Sequence, residues 1–202
     1  MKLAIRSTLL LLALTLPVMA QNSEPLKTKA LSFGFNGLSL SGYDGGVGGK
    51  LWLSNARALT MSLDGSLFSR TTEGDSSRTD DKSSSSEIRL NAGIEQHADI
   101  GQGFSPFLAA GLSLGYIRSR NSYGSIANPY VYGSHYTSFG AVAGLGLEYW
   151  ITPRVSFAGL QRLSADYRIG KAYDGPKGSA ERDSYEIQMG LGSTSLILSI
   201  YL

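Results

Sequence analysis

The sequence has no cysteine and only two histidines among its 202 residues. Without cysteine it can form no disulfide, no thiolate nucleophile and no zinc–thiolate site. Beyond the N-terminal segment it also lacks the ~18 consecutive apolar residues that a transmembrane helix requires. It has instead 25 glycines and repeated alternation of apolar and polar side chains, which predict an all-β protein.

The first 20 residues have the three parts of a secretory signal peptide. Lys2 and Arg6 supply the positive start, Leu9 to Leu16 the apolar middle, and Ala20 ends a cleavage site of small residues. The apolar run is too short to span a hydrocarbon core about 30 Å thick, so cleavage is expected rather than anchoring. Loss of the two basic residues reduces 18 Lys and Arg to 16, equal to the 16 Asp and Glu. A net charge near zero argues against nucleic acid as a partner.

Two segments show the alternation most clearly, Ile88–Glu95 and Phe139–Tyr149. Because successive side chains of a strand point to opposite faces, a period of two predicts strands. Eight such strands, apolar outside and polar inside, predict an eight-stranded antiparallel up-and-down transmembrane β-barrel. The strands are expected at 30–40, 47–55, 58–69, 86–97, 105–117, 137–150, 154–167 and 184–202. The larger apolar side chains assigned to the outer face are Leu51, Leu53, Leu59, Met61, Leu63, Leu67, Ile88, Leu90, Ile94, Leu108, Leu112, Leu114, Phe139, Leu145 and Leu147.

The predicted connections differ between the two ends of the barrel. Connections after even-numbered strands are short, whereas three of the four after odd-numbered strands are long and rich in Ser, Gly, Asp, Asn and Tyr: 70–85, 118–136 and 168–183. Bacterial outer-membrane barrels have short periplasmic turns and longer external loops. The chain is therefore expected to comprise a signal peptide (1–20), a short periplasmic segment (21–29) and a barrel domain (30–202) in the bacterial outer membrane.

Charged residues of both signs fall between the outward positions. The set assigned to the lumen is Lys50, Asp64, Arg89, Glu95, Glu148, Arg162 and Glu186. Eight strands leave an interior only wide enough for side chains to fill, and an unpaired charge in such a space is costly. The set is therefore predicted to form a network of ion pairs that fills the lumen. An open ion path is the alternative.

In the first and eighth strands, the apolar side chains switch from one set of alternate positions to the other, and each switch lies beside a glycine. Gly37 marks the first shift, and Gly190 and Gly192 mark the second. In the seventh strand, the regular pattern places Gln161 in lipid unless a bulge occurs near Gly159. Because glycine in a strand often accompanies a bulge that re-aims the side chains, bulges are expected at the first two places. In the seventh strand, a bulge near Gly159 or a different register is expected.

The segment Gly144–Phe157 resembles the sixth strand, tight turn and seventh strand of small outer-membrane barrels of the OmpA/OmpX-like, or outer membrane protein β-barrel domain, families. Its most specific part is the Glu-Tyr-x-x-Thr-Pro-Arg run that begins at Glu148, and Pro106–Tyr116 is similar to their fifth strand. The final strand, Leu196–Leu202, resembles their C-terminal assembly signal, with Leu202 where the family usually has Phe. The resemblance implies contact with outer-membrane lipid and recognition of the last strand by the barrel assembly machinery. It does not fix an activity, because such barrels serve as anchors, adhesins, pores and enzymes.

One group of residues is similar in type to a catalytic triad. His135, Ser138 and Glu148 resemble the His, Ser and Glu of barrel lipid A deacylases, which combine a base with a hydroxyl nucleophile. Glu148, however, is expected on the order of 40 Å from His135 along one strand at ~3.3 Å per residue. No catalytic residue, cofactor or metal site is therefore predicted. The other histidine, His97, is expected at the membrane interface.

Four tyrosines lie in the third predicted external loop: Tyr123, Tyr130, Tyr132 and Tyr136. Tyrosine gives rigid amphipathic contact area, which makes this loop a candidate contact for an unidentified cell-surface partner. Tyrosines that rest on the lipid headgroups are the alternative. The function expected is a non-catalytic outer-membrane protein whose loops stabilise the surface or meet a partner. A lipid A-modifying enzyme and a narrow porin-like channel are the other two hypotheses.

Overall fold

The computed structural model of the chain describes residues 29–39, 42–73, 80–98, 103–124, 129–176 and 179–202. The expected signal peptide and residues 21–28 of the expected periplasmic segment lie outside these ranges. The strands are β1 (Lys29–Ser39), β2 (Gly42–Ser54), β3 (Arg57–Thr72), β4 (Asp81–His97), β5 (Phe104–Gly124), β6 (Pro129–Thr152), β7 (Val155–Pro176) and β8 (Arg182–Tyr201). Within the described ranges, no helix is long and apolar enough to cross a bilayer.

The eight strands form a closed antiparallel ring in chain order, and β1 pairs with β8 to close it. This arrangement confirms the predicted eight-stranded up-and-down barrel. We call the end that carries the β2–β3, β4–β5 and β6–β7 connections the lower end, and the opposite end the upper end. Within the lower connection between β4 and β5, Gly103 adopts a positive φ of 79°. Its carbonyl oxygen accepts a hydrogen bond of 2.9 Å from the amide of Trp150, which ties this turn to β6.

The outer wall of the barrel is apolar. One row of directly opposed residues runs across seven strands: Val47, Leu63, Leu90, Leu114, Phe139, Tyr167 and Ile187. All of these side chains are exposed, as are nearly all of the apolar residues predicted to point outward. Aromatic side chains occur at both ends of the wall, where Phe104 and Tyr149 stack at 4.6 Å below and Tyr116 is exposed above. Such aromatic residues are typical of the two edges of a membrane-embedded apolar band.

The strands extend much further at the upper end than the sequence predicted. The segment 118–136, predicted as a loop, is paired strand on both sides except for its centre, because β5 ends at Gly124 and β6 begins at Pro129. The same correction applies to 70–85, of which β3 and β4 occupy half, and to 168–183, of which β7 and β8 occupy most. Both faces of these hairpins carry mostly polar residues, so the segments lack the apolar alternation that predicts a strand. Cross-strand pairs of Ser, Thr and Tyr can stabilise them instead.

Two of the three predicted bulges are confirmed. The β1–β2 register shifts between Phe35 and Gly37, and the β7–β8 register shifts where Gln161 and Leu163 face Thr194 and Leu191. The bulge predicted near Gly159 is wrong, because the pairing of β7 is regular there. The wall instead tolerates Gln161 on its outer face, since the amide donates to the carbonyl oxygen of Gly192 at 2.6 Å and accepts from the hydroxyl of Thr194 at 2.7 Å.

Candidate functional site: the lumen

The lower part of the lumen contains a buried group of charges, which we call the lower cluster: Lys50, Glu95, His97 and Glu148. The ammonium nitrogen of Lys50 lies 2.7 Å from a carboxylate oxygen of Glu95 and 3.1 Å from one of Glu148. The Nε2 atom of His97 lies 3.0 Å from the same oxygen of Glu95. All four residues are at most 6% exposed. Three strands, β2, β4 and β6, bring these groups to one point on the barrel axis.

Glu148 is the most enclosed member of the lower cluster, with no exposed area. Its second carboxylate oxygen accepts a hydrogen bond from the hydroxyl of Ser156 and another from Tyr201 at 2.8 Å. The carboxylate therefore contacts an ammonium group and two hydroxyl donors. Such complete pairing is what allows a charge to remain in a space without water.

Aromatic rings surround the lower cluster. His97 stacks on Phe107 at 4.8 Å between ring centroids and lies 4.6 Å from Trp52. The ammonium group of Lys50 lies over the same two rings, 5.7 Å from Trp52 and 5.5 Å from Phe107, within the range of cation–π attraction. The rings of Trp52 and Phe107 therefore lie against the charged groups of the lower cluster.

An apolar layer lies above the lower cluster. Phe107, Ala158 and Leu160 form its buried centre, and Ala109 and Ile197 pack against them. A cavity of about 100 Å³ separates this layer from the glycine-rich inner faces of β1 and β2. The expectation of a uniformly polar lumen is therefore only partly correct.

A second group of charges, the upper cluster, lies above this layer and consists of Asp64, Glu87, Arg89, Arg162 and Asp166. One guanidinium nitrogen of Arg89 donates to both carboxylate oxygens of Asp166, at 3.0 and 3.2 Å. Another lies 2.6 Å from Glu87. Asp166 is 3% exposed and also accepts a hydrogen bond from Ser113. Arg89 thus joins two carboxylates on different strands across the lumen.

The remaining pair of the upper cluster is looser. Arg162 donates to Asp64 at 3.3 Å, and the two side chains are 28% and 16% exposed. Asp64 also accepts a hydrogen bond of 2.7 Å from Asn91. A Cβ atom on Gly46 would collide with this carboxylate and lie 2.6 Å from the backbone oxygen of Leu63, so only glycine lets β2 pass so close. Glycine at this position leaves the space on the inner face of β2 to the carboxylate of Asp64.

The structure brings six of the seven predicted lumen residues into these two clusters. Glu186 is separate, because it lies near the upper rim with its side chain 46% exposed and 3.8 Å from Arg168. Asp166 was not among the predicted lumen residues. It shares the face of Arg162 at an even spacing, which is the signal that could have identified it.

His97 was also misplaced by the sequence. It was expected at the membrane interface, but it lies 4% exposed inside the barrel. Its even spacing from Glu95 along β4 puts both side chains on the same face, and this spacing was available from the sequence. Tyr201 likewise contributes its hydroxyl to Glu148 from the last strand, although the apolar residues around it suggested a lipid-facing segment.

The triad-like residues are not brought together. Ser138 and Glu148 occupy the inner face of β6, and Ser138 is buried, whereas His135 has the opposite parity on the same strand. His135 instead pairs in register with Arg118 and Lys171. Among the described residues, no group of three His, Asp or Glu side chains is arranged to hold a metal ion.

The four tyrosines of the predicted third loop lie on strands instead, on the inner face of the upper rim. Tyr123 and Tyr130 are directly paired, with ring centroids 5.1 Å apart. Tyr132 is 38% exposed, and the hydroxyl of Tyr136 lies 3.2 Å from that of Ser184. The tyrosines therefore line the mouth of the barrel and are held by paired backbone.

Solved structures with a similar fold are outer-membrane proteins. A major outer membrane protein from Thermus thermophilus is similar to the chain, with 10% identity and a TM-score of 0.54 over 86% of this chain and 98% of that protein. The fold is that of an outer-membrane β-barrel. CarO from Acinetobacter baumannii is also similar, with 12% identity and a TM-score of 0.47 over 90% of this chain and 100% of that protein. No protein-family model and no curated protein matches the sequence.

Proposed function

We propose that the protein is a non-catalytic integral barrel of the bacterial outer membrane, exported through the signal peptide at 1–20 and inserted by the assembly machinery through β8. The main support for this proposal is that the barrel is apolar outside and charged inside, the reverse of a water-soluble protein. The outer wall is a continuous row of exposed apolar side chains, whereas the inside contains the ion pairs of Lys50 and Arg89. In water such a wall would be an unusually large apolar patch. In a bilayer it is the expected surface.

Membership of the OmpA/OmpX-like families is part of the same proposal. The most specific run of that resemblance begins at Glu148, and Glu148 is the centre of the lower cluster. The position therefore has a structural reason to carry a carboxylate, because Lys50, Ser156 and Tyr201 all point at it.

The protein is proposed to conduct no steady current, because the lower cluster and its aromatic rings block the lumen. In planar bilayers the native protein is expected to be silent. Lys50→Ala/Glu148→Ala removes a buried pair and should open a measurable conductance. Lys171→Ala/Glu181→Ala, a half-exposed pair 3.7 Å apart, is the matched control and should remain silent. Large stable channels from the native protein would favour the porin-like alternative.

The upper hairpins are proposed to project from the cell and to stabilise the surface or contact a partner through the tyrosine-lined rim. Trypsin added to intact cells is expected to cut in the β3–β4 connection, which contains Arg78, and to leave Arg154 in the lower β6–β7 turn intact. Cleavage after Arg154 together with protection of Arg78 would mean that the barrel has the opposite orientation.

Catalysis on lipid A is disfavoured by the separation of His135 from Glu148. Mass spectra of lipid A from cells with and without the gene are expected to be the same. A difference that disappears in a Ser138→Ala variant would support the enzyme hypothesis instead.

A further inference from the structure

The outward-facing side chains directly above the apolar wall are basic on one side of the barrel. One row of directly opposed residues crosses β4 to β7 and consists of Ser86, Arg118, His135 and Lys171. Arg120 follows at the next outward position of β5. Within these four strands as the structure describes them, no Asp or Glu occupies an outward position above the wall. We call Arg118, Arg120, His135 and Lys171 the basic patch.

The alternation of the strands sets the direction of these side chains. Arg118 lies at an even spacing from Leu114 on β5, and His135 lies at an even spacing from Phe139 on β6. Leu114 and Phe139 both belong to the exposed row of the outer wall. The two arginines and Lys171 are exposed, and His135 is half-buried. The basic patch is therefore on the outer surface of the barrel and not in its tyrosine-lined mouth.

The charge of the basic patch is only partly compensated. At its margin, Lys171 lies 3.7 Å from Glu181 and directly opposite Asp183 of β8. Neither Arg118 nor Arg120 forms an ion pair with any residue that the structure describes. The centre of the patch therefore presents two guanidinium charges to an external anion.

The basic patch lies just above the edge of the apolar wall. The next outward row below it contains Ile88, Tyr116, Thr137, Ile169 and Tyr185. On β6, Thr137 and the lower aromatic residue Tyr149 are about 30 Å apart along the membrane normal, at ~3.3 Å per residue and a strand tilt of about 40°. This separation matches a hydrocarbon core about 30 Å thick. The patch is therefore at the depth of the lipid headgroups.

Hydroxyl groups lie on both sides of the two arginines. Tyr173 on β7 is directly opposite Gly133 on β6, which is in turn directly opposite Arg120. A Cβ atom on Gly133 would collide with the hydroxyl end of the Tyr173 ring, so only glycine lets this ring lie across β6 toward β5. On the other side, Ser84 and Ser86 of β4 pair in register with the two arginines.

These side chains are of the types that bind phosphate. A guanidinium group presents a planar fork of N–H donors that matches two phosphate oxygens, and hydroxyls can donate to other oxygens. At a strand spacing of ~4.8 Å, the row from Arg118 to Lys171 is about 10 Å wide, and Arg120 lies ~7 Å from Arg118 along β5. The basic patch is therefore wide enough for an occupant with more than one phosphate group.

A lipid is favoured over a free anion because the basic patch continues into the apolar wall. A molecule whose phosphates contact Arg118 can place its acyl chains against Tyr116 and Ile88, which are exposed directly below. Attraction of an anionic headgroup to basic residues then adds to the burial of apolar surface. A free phosphate would have only the electrostatic contribution, on a face that is open to water.

We propose that the basic patch binds the phosphate groups of a phosphorylated glycolipid of the lipid A class, whose acyl chains lie along the outer wall of β4 to β7. The proposal rests on the membrane embedding and the orientation of the proposed function, which put this surface in the external leaflet. It adds to that function a lipid-binding site with a stated headgroup chemistry.

Native mass spectrometry of the detergent-solubilised protein tests the proposal, with diphosphoryl lipid A as the added lipid. Arg118→Ala/Arg120→Ala removes two charges from the basic patch. The matched control, Arg70→Ala/Arg182→Ala, also removes two exposed arginines from the upper end, but both of these occupy inward positions. Phosphatidylcholine and fully dephosphorylated lipid A are the comparison lipids. Heat-modifiable migration on unboiled gels confirms beforehand that each variant is folded.

The native protein and the inward-position control are expected to retain several-fold more diphosphoryl lipid A than the patch variant. All three are expected to retain phosphatidylcholine equally. Equal retention of diphosphoryl lipid A by the three proteins would overturn the proposal. An equal loss from both variants would indicate an effect of net charge alone and would also overturn it.

The comparison lipids separate failure of the site from failure of the membrane barrel. If the native protein retains dephosphorylated lipid A as well as the diphosphoryl form, phosphate is not recognised and the proposal is overturned. Retention of phosphatidylcholine in that experiment would leave the membrane barrel intact. A native protein that is soluble without detergent and retains none of the lipids would overturn the proposed function itself.

Thermal unfolding provides a second measurement. A ligand that binds only the folded protein raises its unfolding temperature. Diphosphoryl lipid A is expected to raise the unfolding midpoint of the native protein, followed on unboiled gels, by several degrees. In Arg118→Gln/Arg120→Gln, which keeps long polar side chains without the charges, the rise should be less than half as large. An equal rise in both proteins would overturn the proposal.

Discussion

In the lower lumen, Lys50 lies within 3.1 Å of two carboxylates in a space closed by aromatic rings. In the upper lumen, Arg162 and Asp64 are 3.3 Å apart beside a cavity of about 260 Å³. The same eight strands thus enclose closely packed side chains at the lower end and a cavity at the upper end. The difference lies in residue size, because large rings occupy the inner face below, whereas glycines occupy much of β2 and part of β8 above.

The largest expected effect is in the lower cluster. Lys50→Ala leaves Glu95 and Glu148 without their shared cation, and an uncompensated buried charge costs about 3–5 kcal/mol. The urea midpoint in detergent should fall accordingly. Lys171→Ala removes a half-exposed lysine 3.7 Å from Glu181 and should change the midpoint little. Equal small effects from both variants would mean that solvent reaches the lower cluster.

The outer wall comes next. Leu90→Arg places a charge in the apolar row, one residue from Arg89 but on the opposite face. The cost should be about 2–4 kcal/mol if the position is near the middle of the bilayer. Heat-modifiable migration on unboiled gels measures the folded fraction, and Leu90→Met is the control. A soluble, detergent-independent Leu90→Arg protein would contradict a membrane barrel.

A smaller effect is expected in the upper cluster. Arg89→Ala removes charged hydrogen bonds to Asp166 and Glu87, each worth about 1.5–3 kcal/mol when buried and less where water can replace the arginine. The loss of unfolding free energy should therefore be smaller than for Lys50→Ala. A double-mutant cycle with Asp166→Ala isolates the pair. A loss from Arg89→Ala that exceeds the one from Lys50→Ala would reverse the comparison between the two ends.

The smallest effect is expected at the rim. Glu186 is half-exposed and 3.8 Å from Arg168, so Glu186→Gln should change the unfolding free energy by about 0–1 kcal/mol, as is typical of exposed pairs. Added salt should remove even this difference. A salt-independent loss comparable to that of Arg89→Ala would indicate that the rim is closed to solvent.

The sequence was sufficient for the number and order of the strands and for most of the apolar side chains on the outer face. Alternation at Leu90 and Leu114 has a period of two because one face of each strand must be apolar, and this constraint is local. The lengths of the strands in the upper hairpins were underestimated. Both faces of these hairpins are mostly polar, so they show no alternation of apolar and polar residues. The regular pattern placed Gln161 on the outer face, but its hydrogen-bond partners on β8 could not be predicted, because they are 31 and 33 residues away.

For the lumen, the sequence predicted the charged residues but not their partners. Arg89 and Asp166 are 77 residues apart, and Lys50 and Glu148 are 98 apart. Which of several opposite charges meet depends on strand order and on the stagger with which β1 closes on β8. Neither the strand order nor the stagger can be predicted from the alternation of residues along any single strand.

The sequence by itself determined that this chain has eight strands, an apolar outside and a charged inside, because alternation along each strand is a local property. Only the tertiary structure decided that the charges separate into a buried lower cluster and a looser upper one. Closing the ring sets which residues lie opposite one another across the lumen. The ion pairs and the burial of each charge follow from that closure.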